Sequence, residues 1–153
     1  MKEYLFNTIK KHHYNISIYT EDIFERRCQE EIIRSDEDNS SFVYVELDFD
    51  SIEKALGNKT NSQQFWNIFL ETISQNKRGS DILGFLEHES GIGLLLLDSK
   101  LDGWNRLEGR FKRTANEQNF EIMNLVLNKI VKPIVYPSCI QDIQMQQAAK
   151  QKQ

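Results

Sequence analysis

The sequence is poor in cysteine and histidine, has no excess of basic charge, and contains no apolar run long enough to cross a membrane. Cys28 and Cys139 are the only cysteines in 153 residues. Two thiols this far apart do not make a disulfide framework, and both are expected to stay reduced. The net charge is −4. General nucleic-acid binding needs a basic surface that displaces counterions, so that class is excluded. With no span of membrane length, no membrane partner is expected. The start, Met1-Lys-Glu-Tyr-Leu-Phe-Asn-Thr, is too polar for a signal peptide, and a cytoplasmic location is the expectation. Of the three histidines, His12 and His13 are adjacent, so on a helix they diverge and do not share a metal ion. A solvent-exposed N-terminal segment is their simpler setting. Internal repeats and interdomain linkers are also missing.

What remains is 39% apolar and 27% charged, the balance of a globular protein. A single domain over residues 1–153 is expected. Its core covers about 20–137, with an N-terminal helix or arm over 1–19 and a polar tail over 138–153. Thr20 is placed to cap a helix with acids in its first turn, and Phe24, Cys28 and Ile32 give that helix one apolar face ending near Ser35. Phe42-Val-Tyr-Val-Glu-Leu-Asp-Phe49 is the strongest strand pattern in the chain. A short helical turn from Ser51 to Leu56 closes at Gly57. A helix starting at Thr60-Asn-Ser carries the stripe Phe65, Ile68, Phe69 and Ile73, which leaves Trp66 beside it as a candidate contact surface or a residue packed under a loop. Asp81–Leu86 and Ile92–Leu97 read as two strands of a hairpin, joined through Glu87-His-Glu-Ser-Gly91. A further helix over Leu101–Thr114 has Leu101, Trp104, Leu107 or Glu108, and Phe111 along one side. Phe120–Leu127 has the composition of a strand, and Ile130–Tyr136 that of an edge strand, because Pro133 has no N–H for a central ladder. The order is helix, strand, helix, strand, strand, helix, strand. It predicts an α+β fold with a mainly antiparallel sheet and flanking helices, of the split β-α-β, ferredoxin-like kind.

Residues 20–137 resemble a GGDEF domain, the diguanylate cyclase family of the nucleotidyl cyclase fold. The resemblance rests on the strand Val45-Glu-Leu-Asp48-Phe-Asp50, the helix around Phe65, the box Arg78-Gly-Ser-Asp81, the acidic hairpin, and the lead-in helix Phe24–Ser35. The family joins two GTP molecules into cyclic di-GMP, and the resemblance implies a bacterial signalling setting. It places Asp48, the Phe49 carbonyl and Glu89 at the family's metal-binding positions, a set that would suit Mg²⁺ with substrate phosphates completing the shell.

The resemblance also shows what this chain has changed. Glu87 and His88 stand where the family has two glycines, whose bare backbone lets phosphates approach. Glu87 adds charge of the wrong sign, and His88 adds bulk. The residues that read guanine in the family correspond to Leu56 and Gly57, which offer no side-chain hydrogen bond. A non-catalytic, regulatory GGDEF-like domain is therefore expected, with no cofactor required. Asp48 and Asp50 have a simpler role available, capping the helix that follows.

One binding motif is retained. Arg78-x-x-Asp81 matches the box through which many GGDEF domains bind cyclic di-GMP away from the catalytic hairpin. An arginine fork bonds O6 and N7 of guanine or pairs with phosphate, and an aspartate accepts from N1 and N2. The family draws a second arginine from the helix after the hairpin. Here Arg110 is first choice and Arg106 second, with Arg113 on the same helix. The simpler alternative is that Arg78 ends a helix and Asp81 starts a strand. Two further functions stay open. One is a homodimer or protein-interaction module without nucleotide. The other is a cyclase of altered specificity using Asp48, Asp50 and Glu89 with Mg²⁺.

Overall fold

The computed structural model describes residues 1–76 and 81–137. The elements in chain order are α1 (Lys2–His12), β1 (Ile18–Tyr19), α2 (Glu21–Asp38), β2 (Phe42–Asp48), α3 (Phe49–Leu56), α4 (Lys59–Gln75), β3 (Asp81–Phe85), a 3-10 turn (Glu87–Glu89), β4 (Gly91–Leu97), α5 (Leu101–Glu117), α6 (Ile122–Lys129) and β5 (Ile134–Tyr136). The strand order is β1-β3-β4-β2-β5. β4 is antiparallel to both β2 and β3, β5 is antiparallel to β2, and β1 adds a short parallel edge to β3. β2 and β3 thus run the same way with β4 inserted between them. This is the split β-α-β arrangement that the pattern predicts, in a mixed α+β fold.

Alternation along the strands builds two cores. Val43, Val45 and Leu47 of β2 and Ile92, Leu94 and Leu96 of β4 face a large cluster shared with Leu5, Ile52, Phe65, Ile68, Trp104 and Phe111. The other face of the sheet turns Phe42, Leu95 and Leu97 toward Phe24 of α2. All seven residues of β4 are buried, because helices cover both faces. Two glycines set how closely α2 approaches. Gly84 and Gly93 are cross-strand partners, and a Cβ on either would overlap the Phe24 ring.

Several expectations are corrected. Residues 122–129 are helical, not a strand. Met123, Val126 and Leu127 are the buried residues of α6, and a spacing of three and four is a helical stripe. α2 continues to Asp38, where Asn39 ends it in a left-handed conformation. Its buried residues are Phe24, Glu31 and Ser35, while Ile32 is 39% exposed. On a helix a spacing of seven stays in line better than eight, and Arg27 and Arg34 neutralise the buried Glu31. Leu101 is exposed at the start of α5, whose core stripe is Trp104, Leu107, Phe111 and Ala115. Trp66 is fully buried and packs edge-on against Phe49, Phe65 and Phe69, so it is no contact surface. The N-terminal segment forms α1. His12 and His13 are exposed, and Leu5 is part of the main core. β5 lies at the sheet edge as expected but covers only Ile134–Tyr136; residues 130–133, with Pro133, precede it and are not strand.

Candidate functional site

The hairpin and the end of β2 meet as the sequence implies. Asp48 is the Cα partner of Gly91, and the Phe49 N–H donates to the Ser90 carbonyl at 3.0 Å. A Cβ at 91 would collide with the Leu47 carbonyl, so glycine is required there. The side chains, however, are engaged elsewhere. Asp48 Oδ2 accepts from the Ser51 N–H at 2.8 Å and caps α3, which is the simpler role expected of it. Glu89 pairs with Lys2 of α1 at 3.5 Å. Among the described residues, no three His, Cys, Asp or Glu side chains converge as metal ligands. One oxygen of Asp48 thus serves the cap, and Glu89 has a lysine partner.

The hairpin's backbone is also taken. His88 and Glu89 adopt left-handed conformations with φ of 57° and 52°. The His88 N–H donates to Glu21 Oε2 at 3.1 Å, so a carboxylate from the start of α2 holds this turn. Beside it opens a groove of ≈ 660 Å³, lined by Glu21, Glu25, Glu46, Asp48 and Glu87 and, among the described residues, by no lysine or arginine. Carboxylates of one sign around a groove repel a polyanion. Within the groove, burial and then Glu25 push the Cys28 thiol up to about 11. Burial and a 2.6 Å bond to Glu46 raise Tyr44 above its ordinary value. At the guanine-reading positions, Leu56 is buried and Gly57 ends α3 with φ of 88°. The nearby amides are already committed. Asn58 accepts from the Asn61 N–H, and the Asn61 side chain donates to the Leu56 carbonyl.

A second site forms where α4, β3 and α5 converge. Arg78 lies outside the described residues. Asp81, Arg106 and Arg110 are brought together, and with Asn76 they line one small cleft of ≈ 70 Å³. The Asn76 amide links two of them. Its Nδ2 donates to Asp81 Oδ2 at 3.0 Å, and its Oδ1 accepts from Arg110 Nη1 at 2.9 Å. Arg106 is turned toward Asp102 on its own helix, at 3.4 Å. Asn76 is the residue that reading the sequence missed. It ends α4 two residues before the box, and a polar residue at a helix end usually signals only a cap. Asn76 and Arg110 also line a larger cleft of ≈ 650 Å³ between α4 and α5, together with Thr72, Gln75, Arg113, Thr114 and Glu117. The acidic groove and this arginine-lined cleft are separate, sharing no lining residue.

No family model matches the sequence, and no curated protein does. Solved structures do match. One is the GGDEF domain of the Pseudomonas aeruginosa protein TpbB (also called YfiN), determined as an N-terminally truncated form. It shares 16% identity over 80% of this chain and 73% of that one, with a TM-score of 0.52. A second structure of the same GGDEF domain shares 18% identity over 80% and 78% of the two chains, with a TM-score of 0.50. At such identity the likeness speaks to fold alone, and the strand order and hairpin position described above agree with it. The chain has the nucleotidyl cyclase fold in the form taken by GGDEF diguanylate cyclase domains.

Proposed function

We propose that this domain is a non-catalytic, regulatory GGDEF-like module that binds cyclic di-GMP through the Arg78-x-x-Asp81 box and Arg110. The observation that carries the reading is the Asn76 bridge, which holds Asp81 and Arg110 together on the side of the molecule away from the acidic groove. A carboxylate acceptor beside a guanidinium is the pair that a guanine edge asks for. The reading is supported further by the hairpin. Its backbone donor is held by Glu21, its glycines are replaced by Glu87 and His88, and its carboxylates are committed to Ser51 and Lys2.

Calorimetric titration of the full chain with cyclic di-GMP tests the receptor role. Binding is expected for the unaltered protein and is expected to fall about tenfold or more in Arg78→Ala and in Arg110→Ala, since one good bidentate contact is worth ~1–3 kcal/mol. Absence of heat with the unaltered protein overturns the proposal. Incubation with each nucleoside triphosphate and Mg²⁺ is expected to give no product. Turnover abolished by Asp48→Ala would show an enzyme instead.

A different reading, a dimerisation or partner-binding module without nucleotide, draws on α2. There Ile23, Ile32 and Ile33 are 44%, 39% and 57% exposed. Light scattering behind size exclusion separates it from the first, because a monomer that binds cyclic di-GMP leaves no need for it.

A further inference from the structure

Among the described residues, α2 covers only part of its sheet face. It packs through Phe24 onto Gly84 and Gly93 of β3 and β4. The same face of β2 and β5 presents Phe42, Tyr44, Ile134 and Tyr136 to the ≈ 660 Å³ groove, and Cys28 and Ile32 of α2 form a wall of it. Ile134 is 49% exposed and Ile32 39%, so apolar surface lies open on both sides. Charge along the groove is uneven. Its acids sit where β2 meets the hairpin: Glu46 and Asp48 on β2, Glu87 in the turn, and Glu21 and Glu25 in the first turns of α2. The lining at the Phe42 end is apolar, and Tyr136 stacks there on Phe42 with ring centroids 5.2 Å apart. β5 is antiparallel to β2 and Tyr136 is the partner of Phe42, so the chain leaves the sheet at that apolar end.

We propose that residues 138–153 of this chain, which lie outside the described residues, are the occupant of this groove. From Phe42 to Asp48 it follows the length of β2, about 20 Å at roughly 3.3 Å per residue. A helix rises ~1.5 Å per residue, so about 13 residues returning along the groove span it. Counted from 138, that length brings Lys150 and Lys152 to the acidic end. On such a helix Ile140, Ile143 and Lys150 share a face, because offsets of three and seven stay in line. The isoleucines then meet Phe42, Ile32 and Ile134, and the lysines meet Glu21, Glu46 and Glu87. The segment carries one acid, Asp142, against its two lysines. No lysine or arginine lines the groove among the described residues. Apolar contact and charge therefore favour the same placement. The inference stands apart from the receptor reading, because the α4–α5 cleft shares no lining residue with this groove.

The test uses the full chain with a nitroxide attached through Gln151→Cys, in a Cys28→Ser, Cys139→Ser background, and reads the broadening of backbone amide signals by NMR. The signals of Glu21, Glu25, Glu46 and Glu87 are expected to broaden. Those of Arg110 and Arg113, on a helix that packs against the other sheet face, are expected to stay sharp. Ile143→Asp is expected to abolish the broadening. Glu25→Lys is expected to remove most of it, and adding Lys150→Glu to restore it. Sharp signals at all four groove acids, or broadening indifferent to Ile143→Asp or to Glu25→Lys, would overturn the proposal. Broadening carried over in full to isotope-labelled protein without nitroxide, mixed with unlabelled protein that bears it, would overturn it as well, because a second copy would then fill the groove.

Discussion

His88 and Glu89 hold left-handed backbone although neither is glycine. For an L-residue that conformation costs roughly 1–2 kcal/mol, and glycine occupies it freely at some expense in unfolded-state entropy. His88→Gly is therefore expected to leave stability unchanged or to raise it by about 1 kcal/mol in urea denaturation, and a loss of more than that would place an unrecognised contact on the imidazole. Cys28 gives a pH prediction. Its pKa is raised from 9.0 to about 11 in the fold. The unfolded chain then loses this proton first. The stability linked to it is fully present below pH 9 and is lost as pH rises toward 11. Tyr44, raised by burial and Glu46, acts with the same sign above its ordinary value of 10.0. Unfolding curves from pH 8 to 11 are expected to show this decline, and Cys28→Ala is expected to remove its lower part. At this scale the sequence was legible where a side chain acts locally. The Asp48 cap follows from an acid at a strand end. Trp66 was misplaced because a helix packed on two sides buries more than one stripe.

The elements show a related pattern of what sequence carries. Strands β2 and β4, the hairpin between β3 and β4, and helices α3 and α4 were all readable, because alternation, turn residues and Gly57 mark them without tertiary help. β1 was not, since two residues leave no period to read. α6 has the apolar and aromatic content of a strand, although Met123, Val126 and Leu127 have helical spacing. The docking of α2 was invisible, because nothing in the sequence links Phe24 to Gly84 and Gly93. It yields a sharp prediction. Gly93→Ala is expected to destabilise the fold by about 1–3 kcal/mol through overlap with the Phe24 ring. In the Phe24→Ala background the same substitution is expected to cost much less, since the ring it would displace is gone. Additive losses measured by chemical denaturation would show that α2 is held by other contacts.

The molecule as a whole segregates charge between two openings. Carboxylates from α2, β2 and the hairpin turn line the groove beside the hairpin, whereas arginines of α5 line the α4–α5 cleft and the small cleft by Asp81. Among the described residues no helix is long and apolar enough to cross a membrane. The fold is the one GGDEF domains have. The account's central claim is that nucleotide recognition has moved from the hairpin to the α4–α5 side. Backbone amide chemical shifts, followed by NMR while cyclic di-GMP and then GTP with Mg²⁺ are added, test it most directly. The account predicts that cyclic di-GMP shifts Asn76, Asp81 and Arg110, and that GTP leaves Asp48 and residues 87–91 unmoved. Saturable shifts at Asp48 and 87–91 on adding GTP, with the α5 arginines silent toward cyclic di-GMP, would contradict it.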